Sequence, residues 1–236
     1  MHVTFDHATQ EAPAITTFWF KPPHPVQNIP GQYIELTIHH ENPDSRGEKR
    51  WFTLSSSPTD SLVSITTRLS NPGSTFKQAL QHLKPGDEVI MSEPMGDFVL
   101  PKDSSIPLTF VAGGIGLTPF HSILRWLADM DEQRDIRFLY AVHSEDDIIF
   151  QDSFEKAGVH ATIIVGEPSE AWGGERGQIT AEQILKLAEP ADNGLIYISG
   201  PEPMVEQLNK DLHKLGIPKH RLVGDYFPNY ENIYSN

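Results

Sequence analysis

The periodicity of the sequence changes near residue 101, and this change constrains the fold more than any other feature. Before it, short β-rich segments are separated by turn clusters, which is typical of a small antiparallel barrel or sandwich. After it, apolar strands alternate strictly with amphipathic helices, which favours a parallel sheet with right-handed crossovers. We therefore predict an antiparallel β-barrel domain over residues 1–101 and an α/β parallel-sheet domain over residues 102–236.

The individual elements follow from apolar spacing and turn residues. In the first domain the predicted strands are 15–20, 32–38, 50–54, 62–67 and 88–91, and a helix over 75–83 closes one end of the barrel. In the second domain the predicted strands are 108–112, 136–142, 161–165, 195–199 and 222–226. The predicted helices there are 118–130, 146–156, 181–187 and 201–215, and Thr180 with Gln183 forms a capping box for the third of these four.

The composition excludes several kinds of site. Without cysteine the chain has no disulfide, thiolate zinc site or iron–sulfur cluster, and its eleven histidines show no paired spacing supported by carboxylates, so we predict no metal site. The 18 basic and 32 acidic residues give a net charge of −14, which disfavours a nucleic-acid partner. No signal peptide and no apolar run long enough to span a bilayer is present. We expect a soluble, cytoplasmic protein.

The most informative motif is a glycine-rich turn between an apolar strand and a helix. It contains Gly113, Gly114 and Gly116, followed by Thr118 and Pro119. Glycines let backbone N–H groups approach a pyrophosphate, the helix N-terminus favours an anion, and a first-turn proline is tolerated. The motif is a variant of the dinucleotide fingerprint in the required strand–turn–helix context, and a tight turn without a ligand is the alternative interpretation.

A second motif lies in the β half, where Arg50, Trp51, Phe52 and Thr53 are consecutive. In an extended strand Arg50 and Phe52 point to one face, and Trp51 and Thr53 to the other. Taken alone, this is an ordinary amphipathic strand.

Three further motifs occupy positions where ligands bind. Residues 71–75 open the first helix, so Gly73, Ser74 and Thr75 form either an anion site or a simple N-cap. The segment 199–201 ends a parallel strand, where α/β sheets place ligands. The last motif is the tail around Asp225, Phe227 and Tyr230.

In this order and spacing the motifs resemble the ferredoxin–NADP reductase family. More narrowly, they resemble the modules of bacterial oxygenase reductases and related ferredoxin or flavodoxin reductases, without an iron–sulfur domain in this chain. The similarity extends from about residue 15 to residue 230 and includes residues 94–98 at the end of the barrel half. The resemblance implies a six-stranded FAD-binding barrel and an NAD(P)-binding α/β domain, with the reaction in the cleft between them.

The resemblance also implies roles for residues of the barrel. Arg50 would pair with the flavin pyrophosphate, Phe52 would line the isoalloxazine, and Thr53 would bond near flavin N5, which accepts the hydride. A second pyrophosphate contact, which favours FAD over FMN, would come from Gly73, Ser74 and Thr75. Arg68 is either a further flavin neighbour or a surface charge.

For the second domain, the resemblance implies nicotinamide pyrophosphate binding by the turn of Gly113, Gly114, Gly116, Thr118 and Pro119. Ser199 stands where the family has a cysteine beside the transferring carbon, followed by Gly200 and Pro201. Asp225 stands in place of a glutamate that orients groups or relays protons. Phe227 and Tyr230 either shield the flavin or pack between domains. The implied catalytic residues are Thr53, Ser199 and Asp225.

The electron donor and acceptor are less constrained. Three acidic residues follow His143 where a 2′-phosphate calls for a basic side chain, so NADH is favoured over NADPH. The acceptor is a separate ferredoxin, flavodoxin, oxygenase component or small molecule, because this chain has no cysteine for a fused cluster. A basic patch of Lys102, Arg125, Arg134 and Arg137 would offset repulsion from an acidic acceptor.

The sequence thus leads to one main hypothesis, an FAD-dependent NAD(P)H oxidoreductase. Two alternatives remain open: a flavin-binding sensor or regulatory subunit with little turnover, and a partner subunit that binds no flavin. The serine at position 199 and the aspartate at position 225, which depart from the family pattern, motivate the first alternative.

Overall fold

The structure is a computed structural model that describes residues 1–70, 73–188 and 191–227. For Ala188 and Phe227 it describes only the backbone. Its first half is a six-stranded antiparallel sheet in the order β4-β3-β6-β1-β2-β5. The strands are β1 His2–Ala12, β2 Ile15–Lys21, β3 Tyr33–Thr37, β4 Lys49–Thr53, β5 Val63–Arg68 and β6 Glu88–Met91.

The first sheet closes into a barrel because its two outer strands meet. Leu54 and Ile65 form an isolated bridge, and Ser55 N–H donates to the Ser64 carbonyl at 2.8 Å. Helix α1, Thr75–His82, inserts the fully buried side chains of Phe76 and Leu80 into the barrel core. Burial of two large apolar side chains is the main stabilising contribution of so short a helix, because isolated helices of this length are marginal in water.

The second half is a six-stranded parallel sheet in the order β10-β9-β8-β7-β11-β12, so the predicted two-domain fold class is confirmed. The chain order reverses between β7 and β11, which is where open α/β sheets bind ligands. The strands are β7 Leu108–Gly113, β8 Ile136–Val142, β9 Ala161–Val165, β10 Glu175–Arg176, β11 Leu195–Pro201 and β12 Leu222–Phe227. The helices are α2 Thr118–Asp129, α3 Gln151–Lys156, α4 Ala181–Ala188 and α5 Glu202–Lys214.

Three elements differ from the sequence prediction, and one of them is the two-residue strand β10 at Glu175–Arg176, which that prediction lacks. Strand β1 is absent from that prediction, because its middle residues are exposed on both faces and show no apolar alternation. Helix α3 begins at Gln151 rather than at 146: residues 145–147 form a separate 3₁₀ turn, and Phe150 has a left-handed φ of 56°. The predicted capping box of α4 is confirmed, since Gln183 N–H donates to Thr180 Oγ1 at 3.2 Å and Thr180 N–H to Gln183 Oε1 at 2.9 Å.

The two sheets are joined by the segment between β6 and β7, which contains the predicted boundary at residues 101 and 102. Polar contacts link the halves: Arg125 pairs with Asp60 at 2.7 Å, and Ser122 Oγ donates to the Ser56 carbonyl at 2.7 Å. Over the described ranges, no helix is both long and apolar enough to cross a membrane.

Candidate functional site

The glycine-rich turn lies at the carboxyl end of β7, next to the point where the chain order reverses. Gly114 has a φ of 53°, a left-handed conformation that favours glycine. Residues Gly114–Leu117 form a 3₁₀ turn, and α2 follows at Thr118 with Pro119 in its first turn. The predicted strand–turn–helix context is therefore confirmed, while its role in binding a nucleotide stays a prediction.

This turn packs directly on the end of β11, so two motifs more than eighty residues apart meet. A Cβ added to Gly116 would lie 2.5 Å from the Ser199 carbonyl carbon and 2.6 Å from Gly200 Cα. A Cβ added to Gly200 would lie 3.2 Å from Gly113 Cα, and one on Gly113 would lie 3.4 Å from Pro201 Cδ. The glycines thus allow two backbone segments to approach more closely than any side chain permits.

Ser199 and Asp225 are register partners on β11 and β12, so their side chains share a face of the sheet. Ser199 is fully buried, and its Oγ has no hydrogen-bond partner among the described residues. Burial raises the pKa of Asp225 to about 6, against the lowering effect of the Tyr226 N–H. The carboxyl thus titrates close to neutral pH, a property common in functional sites.

Of the other predicted site residues in this domain, the structure describes one completely, one by its backbone only and one not at all. Thr118 is buried, and its Oγ1 donates to the Ile115 carbonyl at 3.1 Å, so the hydroxyl serves the turn itself. The backbone of Phe227 pairs with Pro201, but its side chain is not described. Tyr230 lies outside the described residues.

On β4 the predicted alternation of side chains is confirmed. Phe52 is 8% exposed and its ring lies 5.8 Å from that of Phe76, while Arg50 Cζ lies 5.2 Å above the same ring. Trp51 points the other way, 6.2 Å from Tyr33, and is 62% exposed. Thr53 is buried and is the register partner of Tyr33 on β3. The side chains of Phe52 and Thr53 lie on opposite faces of the strand.

Arg50 and the start of α1 converge on one anionic group that sequence reasoning missed, the carboxylate of Asp44. Arg50 Nη2 donates to Asp44 Oδ1 at 3.3 Å, Arg46 N–H donates to Oδ1 at 2.9 Å, and Thr75 N–H donates to Oδ2 at 3.2 Å. Although burial opposes ionisation, these N–H groups and the two arginine charges lower the pKa of Asp44. The cluster of donors is built to hold negative charge.

The residues before Thr75 serve the helix end. Ser74 is the N-cap and accepts from Lys77 N–H at 3.3 Å, and the Gly73 carbonyl accepts from Gln78 Nε2 at 3.0 Å. The N-capping interpretation of Ser74 is therefore confirmed, and an anion site at Thr75 is compatible with it. Asn71 and Pro72, which open this motif, lie outside the described residues.

Arg68 is not an isolated surface charge. Its Nη2 lies 2.7 Å from Asp147 Oδ1, an ion pair that joins the end of β5 to the segment after β8. Its role as a flavin neighbour stays a prediction.

Acidic side chains line the ends of β8 and β9. His143 Nε2 lies 3.7 Å from Glu167 Oε2, and Glu145 accepts from Ser169 N–H at 2.9 Å. These bonds to Ser169 lower the pKa of Glu145, so it is ionised at neutral pH. We call these three residues, His143, Glu145 and Glu167, the acidic rim.

The predicted basic patch is largely neutralised. Arg125 is paired with Asp60, Arg134 with Glu132 at 2.6 Å, and Arg137 with Asp135 at 3.0 Å. Each guanidinium thus has a carboxylate beside it, so these arginines offer little net positive charge to an acidic acceptor. Within the described ranges, no group of three or more histidine, aspartate and glutamate side chains is arranged to hold a metal ion.

The residues of the candidate site fit both cofactors that the sequence implied, FAD and a nicotinamide nucleotide. Arg50 and the Thr75 N–H already hold one carboxylate, so they have the charge and geometry for a phosphate oxygen of FAD. The turn at Gly114 and the unpartnered hydroxyl of Ser199 lie together at the carboxyl ends of β7 and β11, where a nicotinamide nucleotide would bind.

Comparisons with known proteins agree with this geometry. Residues 110–210 match the family described as "Oxidoreductase NAD-binding domain". The chain is 30% identical over 245 residues to Flavohemoprotein B of Dictyostelium discoideum, a match that covers 94% of this chain and 58% of that protein. The chain spans about 60% of the length of the curated flavohemoproteins that it matches.

Solved structures share the whole fold. The flavohemoprotein-like FAD/NAD-binding domain of nitric oxide dioxygenase from Vibrio cholerae superimposes with a TM-score of 0.80 at 24% identity, covering 96% of this chain and 98% of that one. A ferredoxin NADP+ reductase from Neisseria gonorrhoeae, with bound FAD and NADP, has the same TM-score and the same coverage at 16% identity. The predicted resemblance is confirmed at the level of the fold, and residues 110–210 match an NAD-binding domain. The flavin oxidoreductase activity and the binding of FAD with NAD(P) follow from this likeness as proposals.

Proposed function

Since this chain has the fold of the ferredoxin–NADP reductase family and a matching NAD-binding domain, we propose that it takes a hydride from NADH and passes electrons to a separate acceptor. When bound, FAD would supply the redox chemistry, accepting a hydride at N5 and releasing electrons. The observation that carries the proposal is the packing of the Gly113–Gly116 turn against Ser199 and Gly200 at the sheet's switch point. We propose domain limits of 1–101 and 102–236.

In the barrel domain, the chain's own residues would bind and orient the flavin. Arg50 and the Thr75 N–H would hold its diphosphate, as their convergence on a carboxylate supports. Thr53, buried at the end of β4, would donate or accept a hydrogen bond near the reacting ring nitrogen. The other proposed members of this flavin site are Phe52, Arg68, Gly73, Ser74 and Phe227.

In the α/β domain, the turn would bring bare backbone N–H groups to the nicotinamide diphosphate. Its proposed members are Gly113, Gly114, Gly116, Thr118 and Pro119, with Gly200 and Pro201 from the adjacent strand. Ser199 would contact the nicotinamide, because its buried hydroxyl has unused hydrogen-bonding capacity. Asp225, whose pKa burial raises to about 6, would orient groups or move a proton beside it.

NADH is the proposed donor because of the acidic rim. A 2′-phosphate would meet the ionised carboxylate of Glu145 and the side chain of Glu167, which lies 3.7 Å from His143. Like charges repel each other, whereas a ribose hydroxyl is a good donor to a carboxylate.

The proposed acceptor is a separate haem-containing protein or domain. The relative with 30% identity is a flavohemoprotein, and this chain corresponds to 58% of its length. The electrons would therefore leave the flavin for a haem held by that separate protein or domain. A cytoplasmic location stays a prediction.

The visible spectrum of the purified protein, recorded anaerobically before and after NADH and then NADPH, tests the proposal. A flavin band that bleaches within seconds with NADH and more slowly with NADPH is expected. A band that persists with both donors would favour a flavin-binding sensor or regulatory subunit. No band after added FAD would favour a subunit that binds no flavin.

A further inference from the structure

The donors proposed for the flavin diphosphate are already engaged by one segment of the same chain. Asp44 accepts from Arg50 and from the Thr75 N–H through its two carboxylate oxygens. The contact is reciprocal, since Asp44 N–H donates to Thr75 Oγ1 at 2.9 Å. Arg50 Nη1 also donates to the carbonyl of Gly47 at 3.0 Å. Residues 44–47 are thus hydrogen-bonded both to Arg50 and to Thr75 at the start of α1.

The segment that carries Asp44 is bounded by two left-handed residues. Asn42 has a φ of 52° and Gly47 a φ of 68°, and both lie between β3 and β4. Glu41 and Ser45 beside them are exposed. The hydrogen bonds that hold residues 41–47 at the anion site run to Thr75 and Arg50, so FAD must replace these bonds when the segment withdraws.

A carboxylate and a diphosphate cannot use the same donors at once. Two negative groups within about 4 Å repel each other, and each needs the N–H groups that the other would take. A neutral side chain at this position would remove the repulsion and leave the donors of Arg50 and Thr75 available.

We propose that Asp44 is an internal competitor for the flavin diphosphate, which lowers the affinity of this protein for FAD. Its carboxylate binds the guanidinium of Arg50 and the N-terminus of α1, and FAD binds when residues 41–47 withdraw. This inference rests on the proposed function, because FAD is the ligand with which Asp44 competes.

The test compares the full-length wild-type protein with Asp44→Asn and Asp44→Ala, after extensive dialysis to remove bound flavin. Glu41→Gln is the matched control, since it removes one charge from the same segment without touching Arg50 or α1. Flavin fluorescence quenching gives the dissociation constant for FAD, and calorimetric titration gives that for inorganic pyrophosphate. We expect both constants to fall about tenfold in the Asp44 variants and to stay unchanged in Glu41→Gln.

Each result decides the question. Unchanged or raised constants in both Asp44 variants overturn the proposal, because Asp44 would then orient Arg50 for the ligand. Tighter pyrophosphate binding in the Asp44 variants, with no FAD binding by any protein, supports the competition while the proposed flavin function fails. If neither ligand binds any of the four proteins, both proposals fail.

Discussion

At the scale of single residues, Asp225 links the candidate site to the stability of the protein. Burial raises the pKa of its carboxyl from 3.8 to about 6, so the folded protein holds this proton more tightly than the unfolded chain does. The resulting stabilisation is complete below about pH 4 and is lost as the pH rises through about 6.

Asp225→Asn is therefore expected to stabilise the protein above pH 6, by at most about 3 kcal/mol, and to have little effect near pH 4. Urea unfolding at several pH values between 4 and 8 measures this difference. Asp211→Asn is the control, because its hydrogen bonds from Lys214 and Gln207 lower the pKa of that carboxyl, and its removal brings no gain at pH 8. Equal stability of Asp225→Asn and wild type at pH 8 would contradict the prediction.

The same scale shows what a sequence reveals about single side chains. The alternation of Arg50 and Phe52 against Trp51 on β4 was predictable, because a strand has a period of two. The engagement of Asp44 with Thr75 was not, because it joins residues 31 positions apart through a loop without periodicity. The pairing of Arg68 with Asp147 was missed for the same reason.

At the scale of elements, the junction of the glycine-rich turn with β11 is the least tolerant place in the site. A Cβ on Gly116 would lie 2.5 Å from the Ser199 carbonyl carbon, and backbone on both sides leaves no flexible atom to move. Gly116→Ala is expected to lower the unfolding free energy by about 2–3 kcal/mol, measured by urea denaturation.

Gly173→Ala provides the matched control for this substitution. No heavy atom other than those of Gly173 and its two chain neighbours lies within 4 Å of a Cβ at this position, and its φ is not in the left-handed region. We expect a change within about 0.5 kcal/mol there. A similar, small change at both positions would show that the turn and β11 are not in the tight contact described.

Elements with a local signal were predictable, and those that depend on tertiary context were not. The capping box at Thr180 and the first-turn proline of α2 follow from two or three neighbouring residues. Strand β1 exists because β2 and β6 pair with it on both sides, although its own sequence is polar in the middle. The late start of α3 reflects the left-handed Phe150, whose ring stacks 3.7 Å from the buried His121.

The ends of β8 and β9 carry the prediction for donor specificity. Replacing Glu145 and Glu167 together by glutamine is expected to raise kcat/KM for NADPH about tenfold and to leave that for NADH within a factor of about two. Steady-state rates with both donors measure this. Glu182→Gln, on the exposed face of α4, is the control. An equal change for both donors would place the phosphate away from the acidic rim.

At the scale of the whole molecule, the relation between the two sheets would determine whether the proposed flavin and nicotinamide can meet. Arg125 on α2 makes a two-pronged ion pair with Asp60 of the barrel half, at 2.7 Å for both bonds. Their side chains are only 28% and 21% exposed, so solvent screens this pair less than a surface pair. Because α2 begins at the glycine-rich turn, the pair also fixes that turn relative to the barrel.

A double-mutant cycle with Arg125→Gln and Asp60→Asn is expected to give a coupling energy of about 1–2 kcal/mol in urea unfolding. Either single variant is also expected to slow flavin bleaching by NADH severalfold while FAD retention stays unchanged, because the pair orients one half on the other rather than touching a cofactor. The exposed pair of Arg137 and Asp135 lies within one half and is expected to couple by less than about 0.5 kcal/mol. Equal coupling energies in the two cycles, with unchanged bleaching, would mean that the apolar contacts between the halves set their orientation without the ion pair.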